Sequence, residues 1–176
     1  MLSRLPRRAP LVSVLACFLA APAGGCAVHE ESVTKPDYET RLVLKNAAGD
    51  EAREFPAGET ITFVVTLRNR AAAVRTLTLS TSQTLDCLVY AADHKEVWRH
   101  SSGRMFAQVI TELTLKPGES RTFTATWNQT DSQGRPVPPG EYEAVGLVPG
   151  KAPGCRSDDV KFTIRRPPAA GKPAGP

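Results

Sequence analysis

The sequence predicts an all-β protein, an immunoglobulin-like antiparallel β-sandwich, on three observations. Short runs rich in Val, Thr, Leu and Phe alternate apolar and polar residues with period two. Pro-Gly turn signals punctuate them, at Pro56-Ala57-Gly58-Glu59, Lys116-Pro117-Gly118-Glu119 and Pro138-Pro139-Gly140-Glu141. No stretch of the body keeps a helical period for three turns. Around eight or nine short strands separated by turns suit two packed antiparallel sheets. The Cys, Trp, Cys spacing of true immunoglobulin domains is absent, so the expectation concerns architecture only.

Each strand has a local reason. Residues 38–46 (YETRLVLKN) and 59–69 (ETITFVVTLRN) alternate, the second setting Ile61, Phe63, Val65 and Leu67 on one face against Thr60, Thr62, Val64, Thr66 and Arg68 on the other. Residues 74–82 (VRTLTLSTS) are β-branched and short. Residues 85–93 (LDCLVYAAD) and 96–100 (EVWRH) should pair as a hairpin across Ala92-Asp93-His94-Lys95, with Asp93 suited to an early turn position. The run 106–115 (FAQVITELTL) reads as one strand, followed by 120–128 (SRTFTATWN), 141–148 (EYEAVGLV) and 159–166 (DVKFTIRR). Trp98 and Phe106 flank a polar stretch containing Gly103, and are expected to be core aromatics on either side of a turn, because buried aromatics dominate small cores.

Both ends differ from the body. Arg4, Arg7 and Arg8 precede an apolar run over residues 11–21 and then small residues, the layout of a secretory signal over residues 1–25. Arg7-Arg8 lacks the bulky apolar pair and lysine of a twin-arginine signal. Two cleavage schemes compete. Ala23-Gly24-Gly25-Cys26 fits a bacterial lipobox, with Ala23 where Leu is usual, and would make Cys26 a lipid-bearing N-terminus; cleavage after Ala21-Pro22-Ala23 would release a soluble periplasmic or secreted protein. Lipidation at Cys26 leaves Cys87 and Cys155 as an even pair, whereas ordinary cleavage strands three cysteines in an oxidising compartment. The expectation is therefore an exported, membrane-anchored lipoprotein with a disulfide between Cys87 and Cys155, the alternative being two buried thiols with Cys87 as a small strand hydrophobe. Residues 26–37 serve as a tether, residues 38–166 fold, and the Pro-rich residues 167–176 form a disordered tail.

Charge and motifs exclude more than they assign. Losing the three signal arginines takes the formal charge from +4 to +1, which leaves no electrostatic footprint for nucleic acid. His29, His94 and His100 do not fall at metal-ligand spacing with cysteines, no cofactor is implied, and Asp158-Asp159 is too few oxygens for calcium. No G-x-S-x-G elbow is present and no nucleophile and base can be paired, so no catalytic residue is assigned and an enzyme is not expected. What remains is recognition by loops, which gather at the ends of a sandwich. Arg99, His100, Ser102, Arg104 and Met105 form the first candidate loop, and residues 128–138, braced by Pro136 and Pro138, the second.

One constellation carries a resemblance. Asn69, Ser82-Gln83, Leu85-Asp86, Glu96-Val97-Trp98-Arg99, Ser101, Met105-Phe106 with Gln108, Leu115-x-Pro117-Gly118-Glu119, Trp127 and Pro139-Gly140-Glu141-Tyr142 follow one another in an order and spacing similar to the intracellular proteinase inhibitor (BsuPI) family, over about residues 55–148. The resemblance implies an immunoglobulin-like sandwich and, from the family's founding member, inhibition of a subtilisin-type serine protease. An exported chain departs from that member in compartment, so its partner would be a serine protease or another envelope protein met outside the cytoplasm. A non-inhibitory interaction or structural module of the cell envelope is the alternative, since sandwich folds host many roles.

Overall fold

A computed structural model describes residues 35–166; the signal region, Cys26, most of the tether and the Pro-rich tail lie outside the described residues. Ten strands follow in order: β1 (Tyr38–Lys45), β2 (Glu54–Pro56), β3 (Ile61–Asn69), β4 (Arg75–Leu79), β5 (Asp86–Ala91), β6 (Glu96–Arg99), β7 (Thr111–Leu115), β8 (Ser120–Trp127), β9 (Gly140–Leu147) and β10 (Val160–Arg165). The all-β expectation holds, and no helix occurs among the described residues. A three-stranded sheet, β1-β3-β8, faces a five-stranded sheet, β2-β10-β9-β5-β6, and a separate two-stranded sheet, β4-β7, adds Leu77, Leu79 and Leu115 to the same core.

The period-two pattern sets which face is inside. Ile61, Phe63, Val65 and Leu67 of β3 are fully buried, and they meet Phe55, Cys87, Val89, Tyr142, Ala144, Phe162 and Ile164 of the facing sheet in one apolar cluster. Gly146 of β9 allows the sheets to close there, because a Cβ on it would lie 2.6 Å from Cγ2 of Val65. At the centre, Trp127 at the end of β8 has ring centroids of Phe63, Trp98, Tyr142 and Phe162 at 5.8 to 6.4 Å, contributed by both sheets. Trp98 is thus a half-buried core aromatic, as its strand position implied.

The β5–β6 hairpin forms with Tyr90 opposite Glu96, and His94 supplies a left-handed residue in its turn at φ 60. Two elements depart from the sequence reading. β2 was not foreseen: it is three residues long and pairs parallel with β10, the one parallel pairing among the described residues. The expected strand over 106–115 is only half formed, because its partner β4 ends at Leu79, opposite Thr111, and leaves residues 106–110 with no ladder to join.

Cys87 and Cys155 are two separate buried thiols, not the expected disulfide. The reason is register. Cys87 faces Gly146 across β5–β9, while Cys155 accepts a hydrogen bond from Val148 on the other side of β9. A whole strand stands between them, so their Cα atoms are separated by two strand spacings of about 4.8 Å each, beyond the roughly 4.4–6.8 Å that a disulfide spans. Burial pushes the Cys87 thiol up to about 12, and raises Cys155 as well. Neither thiol ionises near neutral pH, so neither is a ready nucleophile. In the folded domain both cysteines should resist alkylation at pH 8 and both should react once it is unfolded in denaturant; mass spectrometry that finds neither alkylated without prior reduction would show a bond instead.

Candidate functional site

The candidate site is the end of the sandwich where β6 gives way to β7. It is built on one carboxylate. Asp86 begins β5, and its side chain is 4% exposed although every neighbour on its own strand is apolar. Its two oxygens accept four hydrogen bonds: Oδ1 from the main-chain N–H of Cys87 and of Ser101, at 3.0 and 3.1 Å, and Oδ2 from Arg99 Nε and Ser101 Oγ, at 2.8 and 2.9 Å. Buried charge persists in proteins only when it is satisfied in this way. The consequence is geometric, for the chain leaving β6 is fastened to the start of β5.

A tight turn follows. Ser102 N–H donates to the Arg99 carbonyl and Arg104 N–H to the Ser101 carbonyl, both at 3.1 Å, and Gly103 takes φ +72, which a side chain would resist. His100 is drawn inward by a bond from its N–H to the Cys87 carbonyl, and its ring lies edge-on to Trp98 at 6.0 Å. Its Nδ1 is buried without a partner. Burial, and then the nearby Arg104 cation, hold its pKa below the ordinary histidine range, so the ring stays neutral at physiological pH.

Beyond the turn, Phe106 lies half-buried in a shallow cleft with Ser82, Leu85, His100 and Phe123. Ala107 is tied on both sides of its peptide to Ser82: its N–H donates to Ser82 Oγ at 3.0 Å and its carbonyl accepts from Ser82 N–H at 3.0 Å. Residues 104–110 therefore cross the end of the sandwich fixed at three points and outside any helix or strand. Met105 is 98% exposed, Ile110 75% and Val109 52%; Val74 is the remaining large apolar side chain so exposed among the described residues.

The structure thus sorts the first candidate loop. Arg99 is exposed, with its Nε held on Asp86, an interaction that raises its own pKa, and His100 is half-buried. Ser102, Arg104 and Met105 are exposed. Val109 and Ile110 join them and were missed by sequence reasoning, because period two absorbed them into a strand. The second candidate, residues 128–138, is closed on itself. Asp131 accepts from the main chain of Gln133 and Arg135 and pairs with the Arg135 guanidinium, contacts that lower its pKa, while Gln129 bonds Pro56 and Gly58 and Trp127 Nε1 donates to the Thr130 carbonyl. It carries no exposed large apolar side chain.

Residues 50–153 match the family described as intracellular proteinase inhibitor, BsuPI. The match spans more than half of the sequence, and the chain belongs to that family. No curated protein matches the sequence. Among solved structures, the C-terminal domain of wzt aligns at 12% identity over 76% of this chain and 77% of that one, with a TM-score of 0.48. An alkylpurine DNA glycosylase from Pseudomonas fluorescens, AlkC, aligns at 17% identity and TM-score 0.45, over 74% of this chain and 31% of its own. A β-glucosidase from Erythrobacter marinus aligns at 11% identity and TM-score 0.42, over 74% of this chain and 16% of that one. The chain thus spans less than a third of the glycosylase and about a sixth of the glucosidase.

Removing the carboxylate should release the turn. Asp86→Ala leaves two amide donors without an acceptor at roughly 1–3 kcal/mol each, so the domain should lose about 3 kcal/mol of stability in urea melts. Hydrogen exchange should rise in residues 99–107 more than in β3 or β9; uniform exchange across the domain would deny Asp86 its local role.

Proposed function

We propose that this domain is an exported inhibitor of a subtilisin-type serine protease, held at a membrane by lipid on Cys26, and that it meets the protease with the end of the sandwich carrying residues 104–110. Membership of a proteinase inhibitor family supplies the reaction partner in general terms. The observation that carries the choice of surface is the concentration of exposed apolar side chains, Met105, Val109 and Ile110, in one short segment that is braced at Ser101, Phe106 and Ala107. Exposed apolar clusters on a small domain mark interaction sites. Bracing matters as much as exposure, since a segment ordered before binding has less conformational freedom to lose on association.

Inhibition in this reading is occlusion, not chemistry. The two cysteines are buried with raised pKa values and His100 is neutral and half-buried, so the groups of this end position the segment and do not react. Export supports a protease outside the cytoplasm as the target, and the tether of residues 26–37 would let the sandwich stand away from the bilayer.

Titrating purified residues 35–166 against a panel of bacterial subtilisins should abolish activity of at least one at a stoichiometric ratio, and the inhibitor should be recovered intact. A folded domain that neither inhibits nor binds any of them is a non-inhibitory envelope module instead. The anchor has its own check: full-length chain expressed in a bacterium should fractionate with membranes, Cys26→Ala should become soluble, and equal solubility of the two would remove the lipid from the account.

A further inference from the structure

Resting on the inhibitor reading above, we infer that Met105 is the side chain that enters the primary specificity pocket of the target protease, with Val109 and Ile110 forming an apolar rim, so that the target is an enzyme selecting long unbranched apolar side chains.

The geometry around Met105 differs from that of its neighbours. Arg104 is fixed just before it through the bond of its N–H to Ser101, Phe106 just after it by the cleft with Leu85 and Phe123, and Ala107 next by the double contact with Ser82. Met105 is thus the exposed large apolar side chain of a clamped span, 98% exposed with its flanks tied down. Among the described residues, no hydrogen bond takes up the main-chain N–H or carbonyl of Met105 or of Phe106. Unpaired main chain beside a projecting side chain is what a protease cleft binds by strand addition, where main-chain bonds give affinity and alternate side-chain pockets give specificity. An unbranched thioether side chain can thread a deep, narrow apolar pocket and adapt to its walls. Val109 and Ile110 are β-branched and stiff at χ1, and they adjoin the β7 ladder, which suits them to a fixed rim. Arg104 is the competing choice, as it is exposed too, but a pocket for it would need an acidic floor, as in trypsin-type enzymes.

The experiment uses the full-length chain with subtilisin and trypsin as probes, and four variants: Met105→Asp, Met105→Arg, Arg104→Ala and Ile110→Asp. The exposure of Met105 predicts that its variants melt at the wild-type temperature. Wild type should inhibit subtilisin, Met105→Asp should weaken inhibition by roughly 30-fold or more, the scale of a buried anchor residue, and Ile110→Asp should weaken it less. Met105→Arg should lose subtilisin and gain trypsin, while Arg104→Ala stays close to wild type. Undiminished inhibition by Met105→Asp would overturn the assignment and leave the inhibitor reading standing. Trypsin inhibition by wild type that disappears in Arg104→Ala would overturn it in favour of Arg104. Absence of any binding by wild type defeats both readings, and a wild-type dimer in sedimentation that Ile110→Asp dissociates would assign the segment to a second copy of the chain.

Discussion

The Trp127 indole is the contact on which the sandwich depends. It closes β8, is 2% exposed, and touches aromatic rings from the facing sheet as well as its own. Edge-on and tilted aromatic packing of this kind adds to the area it buries, because ring edges meet ring faces of opposite partial charge. Its Nε1 would be an unpaired donor in that setting, and the chain after β8 folds back so that the Thr130 carbonyl accepts from it. One side chain therefore joins the two sheets and also dictates the path of the loop beyond β8. The neighbouring Tyr142 repeats the device, donating its hydroxyl to the Pro138 carbonyl at the entry to β9.

Around this apolar centre, buried polar side chains act as fasteners. Asn69 is fully buried; its amide N–H groups reach the Ala73, Leu115 and Lys116 carbonyls, and its oxygen accepts from Ala71 N–H. The β3–β4 connection is thereby tied to the Pro117-Gly118 turn. Gln129 does the same for Pro56 and Gly58, and Asp86 for the β6–β7 turn. Each fastener is bonded to main chain, Asp86 to the Arg99 and Ser101 side chains as well, which is why it can be buried and why the loops it holds are ordered without a covalent link. This also makes the absence of a bond between Cys87 and Cys155 intelligible, since the ends that a disulfide would staple are already held by hydrogen bonds.

Much of this was legible in the sequence. The inward residues of β3, β9 and β10 follow period two, and the Pro-Gly signals mark turns at Gly58 and Gly118, both at positive φ; Gly140 instead begins β9 without a positive φ. β2 was illegible because three residues carry no period and its pairing is with a strand more than a hundred positions away. The length of β7 was illegible for a related reason: alternation over 106–115 describes a strand, but a strand needs a partner, and where β4 stops is a property of the fold, not of the FAQVI run itself. The disulfide was argued from cysteine count and compartment, neither of which contains the strand that stands between the two thiols.

The candidate site shows the same division from the other side. Asn69, Asp86, Arg99, Ser101, Trp127 and Tyr142, six of the residues that carry the family resemblance, turn out to be buried or to make internal bonds, whereas Met105, which carries it too, is exposed. Their bonds and burial build the scaffold, and Arg99 alone of the six is exposed. The exposed apolar side chains, Val109 and Ile110 beside Met105, lie where the ladder between β4 and β7 gives out. An apolar strand segment that loses its partner would ordinarily fray and invite aggregation. Here the Asp86 carboxylate on one side and Ser82 on the other hold it against the body of the domain, and in doing so they keep apolar side chains at the surface in a defined arrangement. The contacts that folding requires of this segment are those two and the packing of Phe106, and Met105, Val109 and Ile110 are left exposed beside them.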